Sequence, residues 1–277
     1  MFRNSLFKLC RKIICFCLFI FSLHSFSSNT FYEVSAGSEY TCGIDEFGVI
    51  CWGSNNYGQL DIPESISNPS RLTTYFTHSC VIDDSGLRCW GANYNGQLNI
   101  PVLNNPSEVS VGFGHTCAID ETGAHCWGSN AYGQINVPST GNQLSNLAAG
   151  ALHTCVDGRY GLYCWGDNLN GQLNIPNFDN FSKVTAGDGH TCGIQENILL
   201  CWGNNYYGQT TVPDNLINPS KVSAGFTHTC AIDNTGLHCW GNNSHGQIDV
   251  PDNLSNPTNV DAGRVHTCAI DDYGLQC

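Results

Sequence analysis

Residues 222–251 read VSAGFTHTCAIDNTGLHCWGNNSHGQIDVP, and nearly everything beyond the first thirty residues is this passage written again. Its two cysteines, Cys230 and Cys239, are nine apart. The same spacing recurs at Cys42 and Cys51, Cys80 and Cys89, Cys117 and Cys126, Cys155 and Cys164, Cys192 and Cys201, and Cys268 and Cys277. First members follow one another every 37 or 38 residues. Six copies continue W-G-x-N-x-x-G-Q-x-x-[IV]-P, as in Trp52 to Pro63 and Trp240 to Pro251. A period of this length marks a stack or ring of identical supersecondary units.

The unit reads as strand. "HTCAID" (228–233) and "GLHCWG" (236–241) are short β-favouring runs joined by Asp-x-x-Gly, with glycine able to take positive φ at the turn. Helical periodicity is absent. Leu237 and Cys239 occupy one face of the second run and Trp240 the other, so the sheet is apolar on both sides. Sheets covered on both faces and repeated radially predict an all-β, seven-bladed β-propeller. Small pairs such as Ala36-Gly37, Ala149-Gly150 and Ala262-Gly263 suit inner strands crowding a central axis.

Composition sharpens this reading. The chain has 277 residues, 17 Cys and only 12% charged residues, with a formal charge of −13. Arg3, Lys8, Arg11 and Lys12 precede an apolar run from Ile13 to Leu23 and the small-residue stretch Ser25–Ser27. This is the order of a secretory signal, with cleavage expected after Ser27. Eleven apolar residues fall short of the roughly 20 of a membrane span, although the uncharged stretch runs on to Tyr32 and leaves an uncleaved anchor as the alternative. The expected organisation is a signal peptide at 1–27 and one propeller domain at 28–277. The mature domain then holds 14 Cys and six bases against 23 acids, a formal charge of −17. Such a balance excludes a basic nucleic-acid footprint.

In the hairpin Asp120-Glu121-Thr122-Gly123, a two-residue loop pairs 120 with 123 and carries the register to 117 opposite 126. The cysteines then face each other at a non-hydrogen-bonded site, with Cα atoms about 4.5 Å apart. Seven cross-strand disulfides follow, one per blade. Zinc would prefer C-x₂₋₄-C spacing and ligands from several elements; buried free thiols are the other alternative.

Six W-G-x-N-x-x-G-Q motifs, preceded by A-G-x-x-H-T-C, resemble the repeats of the regulator of chromosome condensation family. The short period and downstream Val/Ile-Pro are most similar to its compact, secreted bacterial members, including a seven-bladed β-lactamase inhibitory propeller. Departures are Thr74-Tyr75 in place of Ala-Gly, Tyr40 in place of His, and Asn197 in place of the hairpin glycine. The seventh copy stops at Cys277, one residue before its Trp. Either Phe31 to Gly37 helps to close the ring or the chain is cut short there.

His78, His115, His153, His190, His228 and His266 share one position, each followed by Thr or Ser. They read as scaffold, hydrogen-bonded near a strand start, with a metal ring as the rival reading; no metal or cofactor is expected. The six Trp read as packing between blades. The repeats disagree at two places, the pair before the His and the x-x of W-G-x-N-x-x-G-Q. The resemblance implies that loops of these two kinds form one partner-gripping face. On this chain that face would hold Tyr57, Phe76, Tyr94, Phe113, Tyr132, Tyr206, Tyr207 and Phe226, ringed by Glu39, Asp167 and Asp188. Aromatic residues amid polar ones are the composition of a protein-binding hot spot. The expectation is a non-enzymatic, monomeric, secreted or periplasmic module with a protein partner, a basic one favoured by the acidic excess. Glycan binding is the alternative, and guanine-nucleotide exchange, by family analogy, ranks below it. No nucleophile–base constellation and no phosphate loop departs from the repeat.

Overall fold

The computed structural model describes residues 30–141, 143–177 and 181–277, so the expected signal segment at 1–27 lies outside the described residues. Seven antiparallel sheets, each of three strands, follow in chain order. Each is a blade with an inner, a middle and an outer strand; in blade 1 these are Phe31–Ala36, Tyr40–Asp45 and Gly48–Gly53. The other inner strands are Ser70–Thr74, Glu108–Val111, Ser145–Ala149, Lys183–Ala186, Lys221–Ala224 and Asn259–Ala262. Each inner strand packs against those of its two neighbours, blade 7 against blade 1 included, which closes the ring. Phe31–Ala36 thus closes the ring as the inner strand of blade 1, not as a strand added to blade 7.

The hairpin register is the expected one: Asp120 pairs with Gly123, and Cys117 with Cys126. All seven disulfides form. They join Cys42 to Cys51, Cys80 to Cys89, Cys117 to Cys126, Cys155 to Cys164, Cys192 to Cys201, Cys230 to Cys239 and Cys268 to Cys277, with Cα atoms 4.0–4.1 Å apart. The two ends of each staple differ in depth. The first cysteine, on the middle strand, is wholly buried. On the outer strand Cys51, Cys89, Cys126, Cys164, Cys201 and Cys239 are half-buried, and Cys277 is exposed.

Blade 5 corrects one reading. Gln195 pairs with Ile198, so Ile198 and not Asn197 takes the glycine's place. Glu196 and Asn197 instead supply positive φ, at 45° and 68°, inside the turn itself. Asparagine is the side chain besides glycine that tolerates this conformation best.

Packing between blades uses both faces of each sheet. Trp240 of blade 6 is buried against Cys192, Ile194 and Leu199 of blade 5, while Leu237 and Cys239 on its other face meet Val260 and Ala262 of blade 7. The same arrangement places Trp90 on blade 1 and Trp127 on blade 2. Blade 7 carries no Trp, and beside Gln247, Thr267 and Gln276 there is a cavity of about 290 Å³.

A second, polar seam joins the inner strands. The hydroxyls of Ser35, Ser110, Thr185 and Ser223 accept the amides of Thr74, Ala149, Ala224 and Ala262 in the next blade, at 2.9–3.1 Å. At the closure this position is Asp261. Its carboxylate accepts from the Ala36 amide at 2.7 Å, from the Ser35 hydroxyl at 3.0 Å and from the Ser223 hydroxyl at 2.7 Å. One charged side chain thereby ties blades 6, 7 and 1 together.

Candidate binding face

Strand direction decides where the variable loops go. Each outer strand ends beside the start of its own middle strand, as in Gly53 opposite Tyr40. The loop entering the middle strand and the loop leaving the outer strand therefore emerge from the same end. The Ser54 amide fastens the two by bonding the Glu39 carbonyl, and Ser129 and Asn204 repeat this on Gly114 and Gly189. Both sets of repeat-to-repeat differences lie on one face.

The fixed residues of W-G-x-N-x-x-G-Q hold the loop so that only the varied pair is free. The Gln side-chain oxygen accepts the amide two residues back, as Gln59 does for Tyr57, Gln134 for Tyr132 and Gln209 for Tyr207. The Asn side-chain oxygen accepts the amide five residues on, as Asn55 does for Leu60 and Asn93 for Leu98. The Gln main-chain carbonyl does more. The Gln97 carbonyl receives both the Trp127 indole and the Thr116 hydroxyl of the following blade, each at 2.9 Å. Carbonyls of Gln134, Gln172 and Gln209 repeat the double acceptance.

This resolves the histidines. Thr116 spends its one hydroxyl proton on Gln97, so toward His78 it can only accept. His78 therefore carries its proton on Nε2, 3.0 Å from the Thr116 oxygen. The bond repeats from blade to blade through His115–Thr154, His153–Thr191, His190–Thr229 and His228–Thr267 at 2.9–3.0 Å. His266 reaches Thr41 at 2.8 Å across the closure. Tyr40 serves blade 1 in the same way, its hydroxyl on the His78 carbonyl at 2.7 Å and beside Ser79 at 2.9 Å. In each ring Nε2 meets the next blade's hydroxyl, not another histidine, and Nδ1 of His78, His115, His153, His190 and His228 is buried without a hydrogen-bond partner among the described residues. Among the described residues no cluster of three or more His, Cys, Asp or Glu could hold a metal ion. Burial drives these imidazoles towards neutrality, to about 3 for His78, His115 and His190 and about 4 for His153 and His228.

On this scaffold the varied residues gather in two tiers. Around the axis, Phe76 and Phe113 stack at 4.4 Å between ring centroids. The Arg264 guanidinium lies 5.9 Å from the Phe76 ring and 5.5 Å from Phe226, with Glu39 at 3.9 Å. Asp188 is half-buried there; burial and then the Asp167 charge raise its carboxyl, and Arg264 partly offsets them. Further out, Tyr57 and Tyr94 meet edge to face at 6.2 Å, and Tyr206 meets Tyr207 at 4.9 Å. Tyr94 and Tyr206 are more than four-fifths exposed, and Tyr132 about half. Asp167 is committed to its own loop, accepting from the Gln172 side chain at 2.9 Å.

Three members of this face were not among the residues expected to form it. Arg264 is the single base among the pre-His pairs, and Leu169 is 84% exposed at a tip position. The third is Tyr75. Six blades place glycine at the axis, and at Gly112 a Cβ would run into the Gly150 carbonyl oxygen. Blade 2 places Tyr75 there, and its ring separates this face from the central channel. The Tyr75 hydroxyl has no hydrogen-bond partner, and burial, with the Asp188 charge added, pushes it well above the ordinary phenol value.

The family model of the regulator of chromosome condensation (RCC1) repeat matches residues 31–59, 107–134 and 220–247. No curated protein matches the chain in sequence. Among solved structures, it is similar to the ectodomain of the receptor kinase CR4 from Physcomitrella patens. That match has a TM-score of 0.74 and 23% identity, covering 90% of this chain and 74% of the other. The ectodomain of the receptor kinase ACR4 from Arabidopsis thaliana gives 0.71 at 23% identity, over 88% and 94%. Prp20p from Saccharomyces cerevisiae gives 0.73 at 17% identity, over 86% and 82%. At such identities the likeness is one of fold.

Proposed function

We propose that this chain, a β-propeller of regulator of chromosome condensation repeats, is a non-enzymatic module that binds a protein partner through the face just described. The observation that carries the reading is the convergence of Phe76, Phe113, Phe226 and Arg264 around the axis inside an outer ring of exposed tyrosines. Every fixed loop residue is spent on holding that ring in place. Rigid aromatic side chains lose little entropy on docking, and a central aromatic–Arg cluster with a polar rim is how protein interfaces concentrate their energy. Prp20p, similar in fold, has binding properties towards Gsp1p and histones, so a propeller of this shape supports protein partners. The acidic excess favours a basic partner, whose capture would weaken with added salt. Seven disulfides support an oxidising compartment, reached through the leader at residues 1–27.

Crosslinking capture from the native compartment, with wild-type protein and the Tyr206→Ala/Tyr207→Ala variant in parallel, tests this. We expect a specific protein whose capture is lost in the variant while the melting curve stays unchanged, each ring contributing about 2 kcal/mol or more. Equal capture by both would move the site off this face. A glycan-array signal with no captured protein would replace the class of partner.

A further inference from the structure

The inner strands enclose a channel of about 690 Å³, blocked by Tyr75 towards the binding face. It is lined at its other end by one residue from the first three of each inner strand. These are Glu33, Arg71, Glu108, Asn146, Lys183, Lys221 and Asn259, in blade order 1 to 7. This is a third place where the repeats disagree, and its chemistry runs against the rest of the molecule. Beyond Lys12 the chain has six bases, and three of them, Arg71, Lys183 and Lys221, line this one cavity. Lys183 and Lys221 are the only lysines after Lys12. They hold the same register in adjacent blades, opposite Ile194 and Ile232 respectively.

The carboxylates of the channel are engaged elsewhere. In blades 2 and 4 a bulge in the inner strand interrupts its pairing with the middle strand. Glu33 accepts the Leu72 and Arg71 amides at the first bulge, and Glu108 accepts the Leu147 amide at the second, 2.9 Å away. Asp261 is the closing clasp. Neither lysine has a carboxylate within ion-pair distance among the described residues. The Lys221 amine is held below its ordinary value, by burial first and then by Lys183, with Glu33 partly opposing. Two like charges side by side in a half-closed cavity, in an otherwise acidic domain, are unfavourable until an anion lies between them.

We propose that the open end of the channel is a binding site for a small multivalent anion, carrying carboxylate or phosphate groups, held between Lys183 and Lys221. The volume falls in the range of small-molecule sites, roughly 300–1,000 Å³. Asn259 on the wall offers hydrogen bonds to the body of such a ligand, as does Asn146, whose amide already gives one proton to the Phe181 carbonyl at 3.1 Å. The site is separate from the aromatic face, with Tyr75 between them.

The test is amine acetylation of the disulfide-intact protein, followed by mass spectrometry of the two lysine-bearing peptides. It is run with pyrophosphate, with citrate, and with chloride at matched ionic strength. We expect one or both polyanions to slow labelling of Lys183 and Lys221 together by about tenfold, the scale of one charge-assisted contact. Protection by pyrophosphate alone assigns a phosphate ligand, and protection by citrate alone a carboxylate. Equal rates in all three overturn the proposal. In parallel, the polyanion should raise the melting temperature of the wild type and of Arg88→Gln, but not of Lys183→Gln/Lys221→Gln. A rise that survives in the lysine double variant would equally overturn it. Partner capture by the aromatic face should be the same in every variant, which keeps the two readings apart.

Discussion

The Thr or Ser after each His carries more than its size suggests. Thr154 receives the His115 Nε2 proton at 3.0 Å and gives its own to the Gln134 carbonyl at 3.0 Å, wholly buried. Valine has the same shape but neither function, so Thr154→Val would strand a buried donor and leave the Gln134 carbonyl with only the Trp165 indole. We expect a loss of about 2–3 kcal/mol in equilibrium denaturation, well above the few tenths of a surface threonine change. The axial glycines are constrained differently. A methyl at Gly112 would collide with the His115 ring and with the Gly150 carbonyl. Backbone on one side and a hydrogen-bonded imidazole on the other leave nothing to yield. Gly112→Ala should cost roughly 3 kcal/mol, measured as a shift in denaturation midpoint, through overpacking. The histidine position was legible as a repeat. Its partner was not, because the hydroxyl it bonds lies 38 or 39 residues away in sequence, or 225 across the closure. Only the closed ring brings the two together.

Each blade is a three-stranded sheet too small to stand alone, stapled once and wedged between two neighbours. The staple spans nine residues in sequence, short enough that the unfolded chain loses only modest freedom by it. Removing one pair as Cys117→Ser/Cys126→Ser should cost about 2–3 kcal/mol in denaturant melts and leave the fold in place. Thiol titration of the denatured, unreduced domain should find no reactive thiol from residue 30 onward; about fourteen would contradict the pairing. The hairpin and its register were readable from Asp-x-x-Gly and the cysteine spacing, because both are local. The bulges of blades 2 and 4 were not readable. They depend on a glutamate in the preceding blade accepting the amides that leave the ladder, and nothing in "SRLTT" or "SNLAA" announces that partner.

Closure makes the molecule one cooperative body, and its response to acid is a property of the whole ring. Five buried imidazoles are held to about 3–4, far below the roughly 6.5 they would have in the unfolded chain. Between those values the unfolded chain binds protons that the folded ring refuses. Stability is therefore fully present above pH 6.5 and is lost as pH falls through this window towards 3–4. Asp233 acts lower still. Burial raises it, but hydrogen bonds from the Ile217 amide, the Thr235 hydroxyl and the Thr235 amide, with the His238 charge, outweigh this and draw it to about 2. Denaturant melts of the disulfide-intact domain at pH 7.5 and pH 5 should show the lower pH less stable. A flat profile would mean that the imidazoles protonate without breaking the His–Thr ring. Asp261 is the closing element on this scale, and Asp261→Ala should lower the melting temperature more than Ser110→Ala at an ordinary junction. The carboxylate serves three donors at the seam, whereas Ser110 serves the Ala149 amide.

Sequence alone determined the unit and its number. A fixed spacing of cysteines, a turn signal and a two-sided apolar strand are local properties, and local properties repeated seven times leave few ways to bury the faces. It also separated positions that build from positions that vary. Only the tertiary structure decided what the varied positions do together. Phe76 and Phe113 are stacked, Arg264 lies between Phe76 and Phe226, and Lys183 and Lys221 share a wall, although 37 or more residues separate the members of each pair. Pattern within one repeat cannot show contact between repeats. The radial closure of the sheets brings distant side chains to one axis, and that geometry exists only when the seventh blade meets the first.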